Sequence, residues 1–288
     1  MSVTDKTTFR ARQFEFRFPR PALVMGIVNV TPDSFSDGGK FFSPAKAVAH
    51  ALELVEQGAE ILDIGGESTR PGAEPVDEAE ELRRAIPVIK KLTARVKVPL
   101  SIDTVKPAVA RVALDAGASI VNDVAASRND EAMWKVVAEF HAGYICMHAH
   151  DSPQTMQQNP TYHNVVREVS EFFRERLVKL NTCGIADDQI VFDPGIGFGK
   201  TLEHNLQLLA NLSRFTKLKR PLLIGVSRKS FIGKLLGTTL NERLPASLAC
   251  ATLAVADGVQ IIRAHDVAET VQAVRLAEAL LARRKKND

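Results

Sequence analysis

Carboxylates, amides and cations recur along this chain at the ends of short apolar runs. Asp103 and Asp193 each end such a run, and Arg263 and His265 follow the last one. The full series is Asn29, Asp63, Asp103, Asn122, Asp123, Asp193, Lys229, Arg263 and His265. A single Asp in such a place is more often a helix cap or a loop residue than a binding group. A series that combines acceptors with cations instead indicates one shared polar site.

Two glycine-rich segments carry further groups that can bind a ligand. In Gly65-Gly-Glu-Ser-Thr-Arg-Pro-Gly72, Arg70 can donate a fork of hydrogen bonds, and the glycines let backbone N–H groups approach an oxyanion. In Asp193-Pro-Gly-Ile-Gly-Phe-Gly-Lys200, Phe198 offers a ring face to a flat ligand. The first segment matches neither a GxGxxG nor a Walker A pattern, and the second is also compatible with a tight turn before a helix.

A third loop, residues 31–40, is rich in turn formers and holds one aromatic residue, Phe35, among hydroxyls and acids. Paired glycines and an exposed ring suit a loop that closes over a ligand. The alternative is a simple turn in which Phe35 packs against the body of the protein.

Basic residues follow the last two apolar runs, in Ser227-Arg-Lys-Ser230 and Arg263-Ala-His265. Such groups beside a helix start suit an anionic ligand, and salt bridges are the alternative. Other chemistries have less support. Ser227 lacks the GxSxG context of a hydrolase nucleophile. His148 and His150 are not accompanied by a cluster with metal-ligand spacing, so we interpret these two histidines as polar rim or loop residues.

The elements that must position these residues are eight short, nearly continuous apolar runs. They are residues 23–29, 60–65, 99–103, 119–123, 144–148, 190–193, 222–227 and 259–263. Continuous apolar character is typical of strands buried on both faces. The runs recur at roughly 33 residues, close to one βαβ unit, with helical spacing between them. Eight such units predict an α/β fold, a (β/α)8 barrel, with an open doubly wound sheet as the alternative.

The barrel model gives the polar series a common location, because active sites of (β/α)8 barrels lie at the carboxyl ends of the strands. Before the first run, Phe14, Phe16 and Phe18 alternate with charged residues and predict a short strand. We therefore expect an N-terminal strand or hairpin extension over residues 1–21 and a single barrel domain over residues 22–288.

Composition narrows the function classes. The 288 residues are 45% hydrophobic and 25% charged, with a net charge of +3, which is ordinary for a globular enzyme and too small to indicate a nucleic-acid partner. We find no apolar run of membrane-spanning length and no signal peptide. The three cysteines are widely spaced and odd in number, which favours a reducing compartment. The cytoplasm is the expected location.

Several motifs, taken together, resemble the dihydropteroate synthase family. They are Gly26-Ile-Val-Asn-Val-Thr-Pro-Asp-Ser-Phe-Ser-Asp-Gly-Gly39, Asp63-Ile-Gly-Gly-Glu-Ser-Thr-Arg-Pro-Gly72, Ser101-Ile-Asp-Thr104, Asp193-Pro-Gly-Ile-Gly-Phe-Gly-Lys200, Ser227-Arg-Lys-Ser230 and Ile262-Arg-Ala-His-Asp266. The resemblance runs from about Leu23 to about Leu276. It implies condensation of 6-hydroxymethyl-7,8-dihydropterin diphosphate with p-aminobenzoate, with Mg²⁺ as cofactor, small molecules as the only substrates, and a homodimer.

The resemblance also implies a role for individual residues at matching positions. The pterin would be bound by Asp103, Asn122, Asp193, Lys229 and Met147. The diphosphate would be bound by Asn29, Thr69, Arg70, Arg263 and His265. The p-aminobenzoate pocket would be formed by Phe35, Pro71, Phe198 and Ser230. Mg²⁺ would lie near Asn29 and Asp37. The groups expected to act on the reacting bond are Asn29, Lys229, Arg263 and His265.

Two segments depart from the usual pattern of that family: Ala149-His-Asp151 after the fifth run, and the loop that follows Asn122 and Asp123. They leave the details of that part of the rim open. Two other functions remain as alternatives. One is a pterin-dependent methyltransferase on the same barrel, which needs no diphosphate site. The other is a non-catalytic pterin or phosphate binder, which predicts gaps in the series of polar residues.

Overall fold

The computed structural model describes residues 7–31, 43–68, 74–126, 131–149, 156 and 160–284. Ten strands lie in these ranges. They are β1 Thr7–Ala11, β2 Phe14–Phe18, β3 Leu23–Asn29, β4 Ile61–Gly65, β5 Leu100–Asp103, β6 Ile120–Asp123, β7 Gly143–Met147, β8 Ile190–Asp193, β9 Leu223–Gly225 and β10 Ile261–Ala264.

Strands β3 to β10 form one parallel sheet that closes into a barrel. The hydrogen-bonded order is β8, β7, β6, β5, β4, β3, β10, β9. A parallel bridge between Phe192 and Leu222 joins the two ends of this order, and the amide of Phe192 donates to the carbonyl of Pro221 at 2.9 Å. The (β/α)8 prediction is therefore confirmed, and the open-sheet alternative is wrong.

Helices on the outside of the barrel connect these strands. In the described ranges they are α1 Pro44–Glu56, α2 Glu78–Thr93, α3 Pro107–Asp115, α4 Glu131–Glu139, α5 Val165–Thr182, α6 Leu202–Leu209, α7 Leu212–Thr216, α8 Ser230–Leu236, α9 Leu244–Ala256 and α10 Val267–Arg284. Pro44 occupies the first position of α1 after Ser43, a position where proline is favoured. Gly117 follows α3 with a φ of 112°, where a side chain would be strained and would meet Thr93.

The N-terminal hairpin of β1 and β2 plugs the amino-terminal end of the barrel. Phe9 stacks on Phe16 at 6.1 Å between ring centroids, and Phe9 and Phe18 join the apolar cluster inside the barrel. A Cβ on Gly143, at the start of β7, would lie 2.7 Å from the Phe9 ring. The hairpin therefore packs directly under the strands. The domain boundary after residue 21 stays a prediction.

Candidate active site

Most of the barrel strands turn from apolar to polar as they approach their carboxyl ends. Alternate side chains of a strand point into the barrel. The inward residues near the hairpin form one apolar cluster that includes Ile61, Ile120, Ile145, Val191 and Ile261. Two positions further on, the same strands carry Asp63, Asn122, Met147, Asp193 and Arg263. A polar layer therefore lies on an apolar plug at the barrel mouth, where the series of strand-end residues was predicted.

Arg263 crosses the mouth and pairs with two acids. Its Nε lies 2.7 Å from Oδ2 of Asp63, and its Nη2 lies 2.8 Å from Oδ2 of Asp103. Nδ2 of Asn122 donates to the same Asp63 oxygen at 2.9 Å. Four of the strand-end residues thus form one hydrogen-bonded group, although Arg263 was expected to face a diphosphate and is here held by carboxylates.

The protonation of Asp103 is shifted by its surroundings. Burial, followed by the charge of Asp63, raises its pKa to about 8, and Arg263 opposes this shift. Asp63 and Asp103 share the one guanidinium of Arg263, so a second negative charge beside Asp63 is disfavoured.

Asp193, Lys229 and Phe198 form a second group on the opposite side of the mouth. Oδ1 of Asp193 accepts the amide N–H of Gly195 at 2.7 Å. Nζ of Lys229 donates to the carbonyl of Ile196 and lies 4.5 Å from the centroid of the Phe198 ring. Burial lowers the pKa of Lys229 to about 8, and Asp193 opposes that shift. Burial likewise raises the pKa of Asp193, opposed by Lys229.

An apolar wall adjoins these two polar groups. Met147 is buried with Val124 and Ala149, and Val105 and Phe198 pack against this cluster. A thioether in such a wall adapts its shape to a ring face. The mouth therefore combines hydrogen-bonding groups on two sides with an apolar surface, which is the pattern of a site for a flat heteroaromatic ligand.

Lys200 ties two segments of this wall together. Its ammonium is buried and donates to the carbonyls of Phe198 at 2.8 Å and His148 at 3.2 Å, with Nδ1 of His148 at 3.1 Å. Burial lowers the pKa of Lys200 to about 7. The His148 ring also packs edge-on against Phe172 at 4.9 Å. This lysine is part of the loop motif that sequence analysis quoted without giving it a role.

The residues beyond β9 and β10 divide between structure and site. Arg228 forms a forked pair with Asp266, so for Arg228 the salt-bridge alternative holds. His265 lies beside Ser227, with Nδ1 3.0 Å from its Oγ. Both His265 and Ser227 remain partly exposed. Ser230 is exposed at the first position of α8.

Asn29 is the last residue of β3 and is half-buried at the same rim. Five other predicted site residues lie outside the described ranges: Phe35, Asp37, Thr69, Arg70 and Pro71. The start of the loop that holds the last three is anchored. Lys106 pairs with both Glu67 and the buried Glu81, and Nη1 of Arg84 donates to the carbonyl of Gly66 at 3.0 Å.

Among the described residues, no three His, Cys, Asp or Glu side chains are grouped so as to hold a metal ion. Asn29 is thus the one predicted metal ligand whose position the structure describes. Over the same part of the chain, none of the helices has the length and apolar character needed to cross a bilayer.

The comparisons with known proteins agree with this geometry. A family model described as pterin binding enzyme matches residues 25–265. The dihydropteroate synthase of Escherichia coli K12 is 48% identical over 259 residues, covering 90% of this chain and 92% of that protein.

Solved structures superpose closely. A Yersinia pestis dihydropteroate synthase in a sulfonamide drug complex has a TM-score of 0.90 at 43% identity, covering 96% of this chain and 100% of that one. A Xanthomonas albilineans dihydropteroate synthase with 4-aminobenzoic acid has a TM-score of 0.89 at 46% identity, covering 96% and 99%.

Proposed function

We propose that this chain, which belongs to the dihydropteroate synthase family of pterin-binding enzymes, condenses 6-hydroxymethyl-7,8-dihydropterin diphosphate with p-aminobenzoate. The products are 7,8-dihydropteroate and diphosphate. The chain is accordingly a transferase. The observation that carries the proposal is the pairing of buried acceptors and a half-buried lysine beside an apolar wall at the barrel mouth, with Asp103 and Asn122 facing Asp193 and Lys229.

These groups complement the edge of a pterin. The 2-amino group and ring N–H of a pterin are donors, which carboxylate and amide oxygens accept, and its ring oxygen and unprotonated ring nitrogens accept from an ammonium. Asp103, Asn122 and Asp193 supply the acceptors and Lys229 supplies the ammonium. Met147 lies in the apolar wall that would contact the ring face. Because the groups are buried, an unmatched ligand would leave a polar atom without a partner.

The diphosphate is assigned to the other half of the mouth. Arg263 lies near the carboxyl end of β10 and His265 follows that strand, where barrels commonly bind phosphate, and Asn29 ends the neighbouring β3. A guanidinium has five N–H donors, more than its contacts with Asp63 and Asp103 use. Thr69 and Arg70 belong to this site by the family motif.

The reaction requires little acid–base chemistry. The bond between the pterin methylene carbon and its diphosphate oxygen breaks, and the electron pair leaves with the diphosphate. Positive charge at the methylene is delocalised into the electron-rich dihydropterin, and the arylamine nitrogen then forms the new C–N bond and loses one proton. Arg263, His265 and Lys229 lower the barrier by stabilising charge and by holding the two substrates in line.

The donor set fits Mg²⁺ as the cofactor. Mg²⁺ is commonly bound by one or two protein oxygens together with substrate phosphates and water. The amide oxygen of Asn29 is such a donor, and Asp37 is the second by the family motif. When bound, Mg²⁺ neutralises charge on the diphosphate and makes it a better leaving group.

The p-aminobenzoate pocket adjoins the diphosphate. Phe198 presents its ring beside Lys229, and Ser230 is exposed at the start of α8. Phe35 and Pro71 complete the pocket by the family motif. A sulfonamide resembles p-aminobenzoate in shape and in its oxygen acceptors, so it would occupy the same pocket. The Yersinia relative was solved in a sulfonamide drug complex, which supports a sulfonamide as a ligand of this chain.

The methyltransferase alternative is not favoured, because the relatives and the solved structures are dihydropteroate synthases. A homodimer is supported by α9, which has no charged residue and yet exposes Leu253 at 68%, beside Leu276 and Leu280 of the adjacent α10. A surface helix normally has a polar outer face. Three free thiols support a cytoplasmic location.

Two measurements test these proposals. Purified protein with Mg²⁺ should release diphosphate and form dihydropteroate in equal amounts only when both substrates are present. Diphosphate release at the same rate with and without p-aminobenzoate would show that the chain is not a synthase. For the dimer, Leu253→Glu should give a monomer by light scattering, whereas Val178→Glu, an exposed apolar position on α5, should leave the mass unchanged.

A further inference from the structure

Asp63 belongs to the polar layer at the barrel mouth but, unlike Asp103 and Asp193, has no exposed surface. In the strand register, Gly65 pairs with Asp103, whereas Asp63 pairs with Ser101. Asp103 in turn pairs with Asn122. Because residues two apart on a strand point the same way, Asp63 faces the barrel interior, as Asp103 does on the neighbouring strand. Its side chain is fully buried. Asp63 is therefore covered by the residues that a ligand would touch.

One carboxylate oxygen of Asp63 accepts two hydrogen bonds from those residues. Oδ2 accepts Nδ2 of Asn122 at 2.9 Å and Nε of Arg263 at 2.7 Å. An ionised carboxylate accepts and does not donate. The NH₂ group of Asn122 must therefore point at Asp63, which turns the amide oxygen of Asn122 away from it.

We infer that Asp63 is a positioning residue for the condensation: it orients the Asn122 amide so that its oxygen meets the donors of the pterin, and it holds Arg263 at Nε. This inference rests on the proposed function. Nη2 of Arg263 occupies a carboxylate oxygen of Asp103 that the pterin needs as an acceptor. A bound pterin would therefore replace Nη2 at that oxygen. Asp63 makes no such exchange and keeps the guanidinium in place while Asp103 changes partner.

The loss of Asp63 therefore has a specific consequence. Without its acceptor, the Asn122 amide can rotate and place its NH₂ group against the donors of the pterin. Such a mismatch in a buried site weakens binding, because two donors then face each other. A purely structural role would lower the free energy of unfolding and leave pterin affinity as it is.

The test is a double-mutant cycle with the pterin alcohol 6-hydroxymethyl-7,8-dihydropterin, measured by calorimetry. We expect Asp63→Leu and Asn122→Ala each to weaken binding about tenfold and the double variant to lose no more than about threefold beyond either single variant. Asp63→Asn keeps one acceptor oxygen and should stay within about threefold of the unmodified protein. Asp123→Asn is the control. Asp123 is a buried strand-end acid whose Oδ2 contacts Tyr144.

Losses that add in the double variant would overturn the inference, and so would an unchanged pterin affinity in Asp63→Leu together with a lower free energy of unfolding. If Asp63→Leu does not fold, Asp63→Thr replaces it in the double-mutant cycle, because threonine lacks the carboxylate and favours the strand conformation. The two proposals fail separately. An unmodified protein that does not bind the pterin alcohol contradicts the proposed function, whereas binding with an additive cycle contradicts only the role of Asp63.

Discussion

Replacing Asp193 by Asn removes one acceptor from the proposed pterin site while keeping the local backbone contact. Oδ1 of Asp193 accepts the amide N–H of Gly195 at 2.7 Å. In Asp193→Asn, only the amide oxygen can keep that bond, so the new NH₂ group must point away from Gly195 into the mouth. There it faces the donors of the pterin. The geometry thus dictates a donor–donor mismatch rather than a neutral exchange.

The size of the effect follows from the burial of Asp193. A buried donor without an acceptor costs about 1–3 kcal/mol, which is roughly a 5- to 150-fold loss in affinity. A second contribution comes through Lys229. Burial lowers its pKa to about 8 and Asp193 opposes that shift, so loss of the acid lowers the pKa further. The loss of affinity should therefore be greater at pH 8 than at pH 7.

The assay is calorimetric titration with the pterin alcohol, which has no diphosphate to mask the loss. Asp123→Asn is again the control, because Asp123 accepts from the Ala125 amide in the same way but belongs to the cluster around Tyr144. The free energy of unfolding of each variant should be measured in parallel. If Asp193→Asn binds the pterin within about twofold of the unmodified protein, Asp193 is not a pterin acceptor.

Three further predictions concern the loop after β8. Phe198→Leu should raise the KM for p-aminobenzoate about tenfold and leave the KM for the pterin diphosphate unchanged, because it removes the ring beside Lys229. Steady-state kinetics with each substrate varied in turn measures both values. A rise in the KM for the pterin diphosphate alone would show that Phe198 contacts the pterin instead. The folded pKa of Lys200, about 7, lies below its unfolded value, so the unfolded chain binds more protons between pH 7 and 10.5. The free energy of unfolding, measured with urea, should therefore rise with pH over that window in the unmodified protein relative to Lys200→Met. A difference between the two proteins that does not change with pH would contradict this. Gly195→Ala should not fold stably, because φ is 67° and the new Cβ would lie 1.9 Å from the carbonyl oxygen of His148; normal yield and thermal stability would contradict this.

Much of the barrel was predictable because its strands are buried on both faces. All eight predicted runs became strands with ends within two residues of the prediction, and the strand predicted over Phe14–Phe18 is present. The partner strand Thr7–Ala11 was not identified separately. Its sequence, Thr-Thr-Phe-Arg-Ala, has weak alternation. It is fixed by pairing with β2 and by the fit of Phe9 beneath Gly143, and the second of these is a contact between segments far apart in the chain.

The candidate site was predictable as a set of residues but not as a set of contacts. Asp103 and Asp193 were identifiable because each ends an apolar run. Arg263 was identifiable as a cation after the last run, yet its partner Asp63 lies 200 residues away in the chain. Which acid it meets depends on the stagger of strands across the barrel, and a local pattern contains no information about that stagger.

The pairing of charges at the mouth bears on how the anionic substrate is held. Arg263 contacts Asp63 and Asp103, and Lys229 is close enough to Asp193 for each to shift the pKa of the other. The charge of both cations is therefore largely compensated before a ligand arrives. A diphosphate gains little from such a site through net charge alone. It must gain from directed hydrogen bonds and, if the proposed Mg²⁺ binds with it, from the charge of that ion.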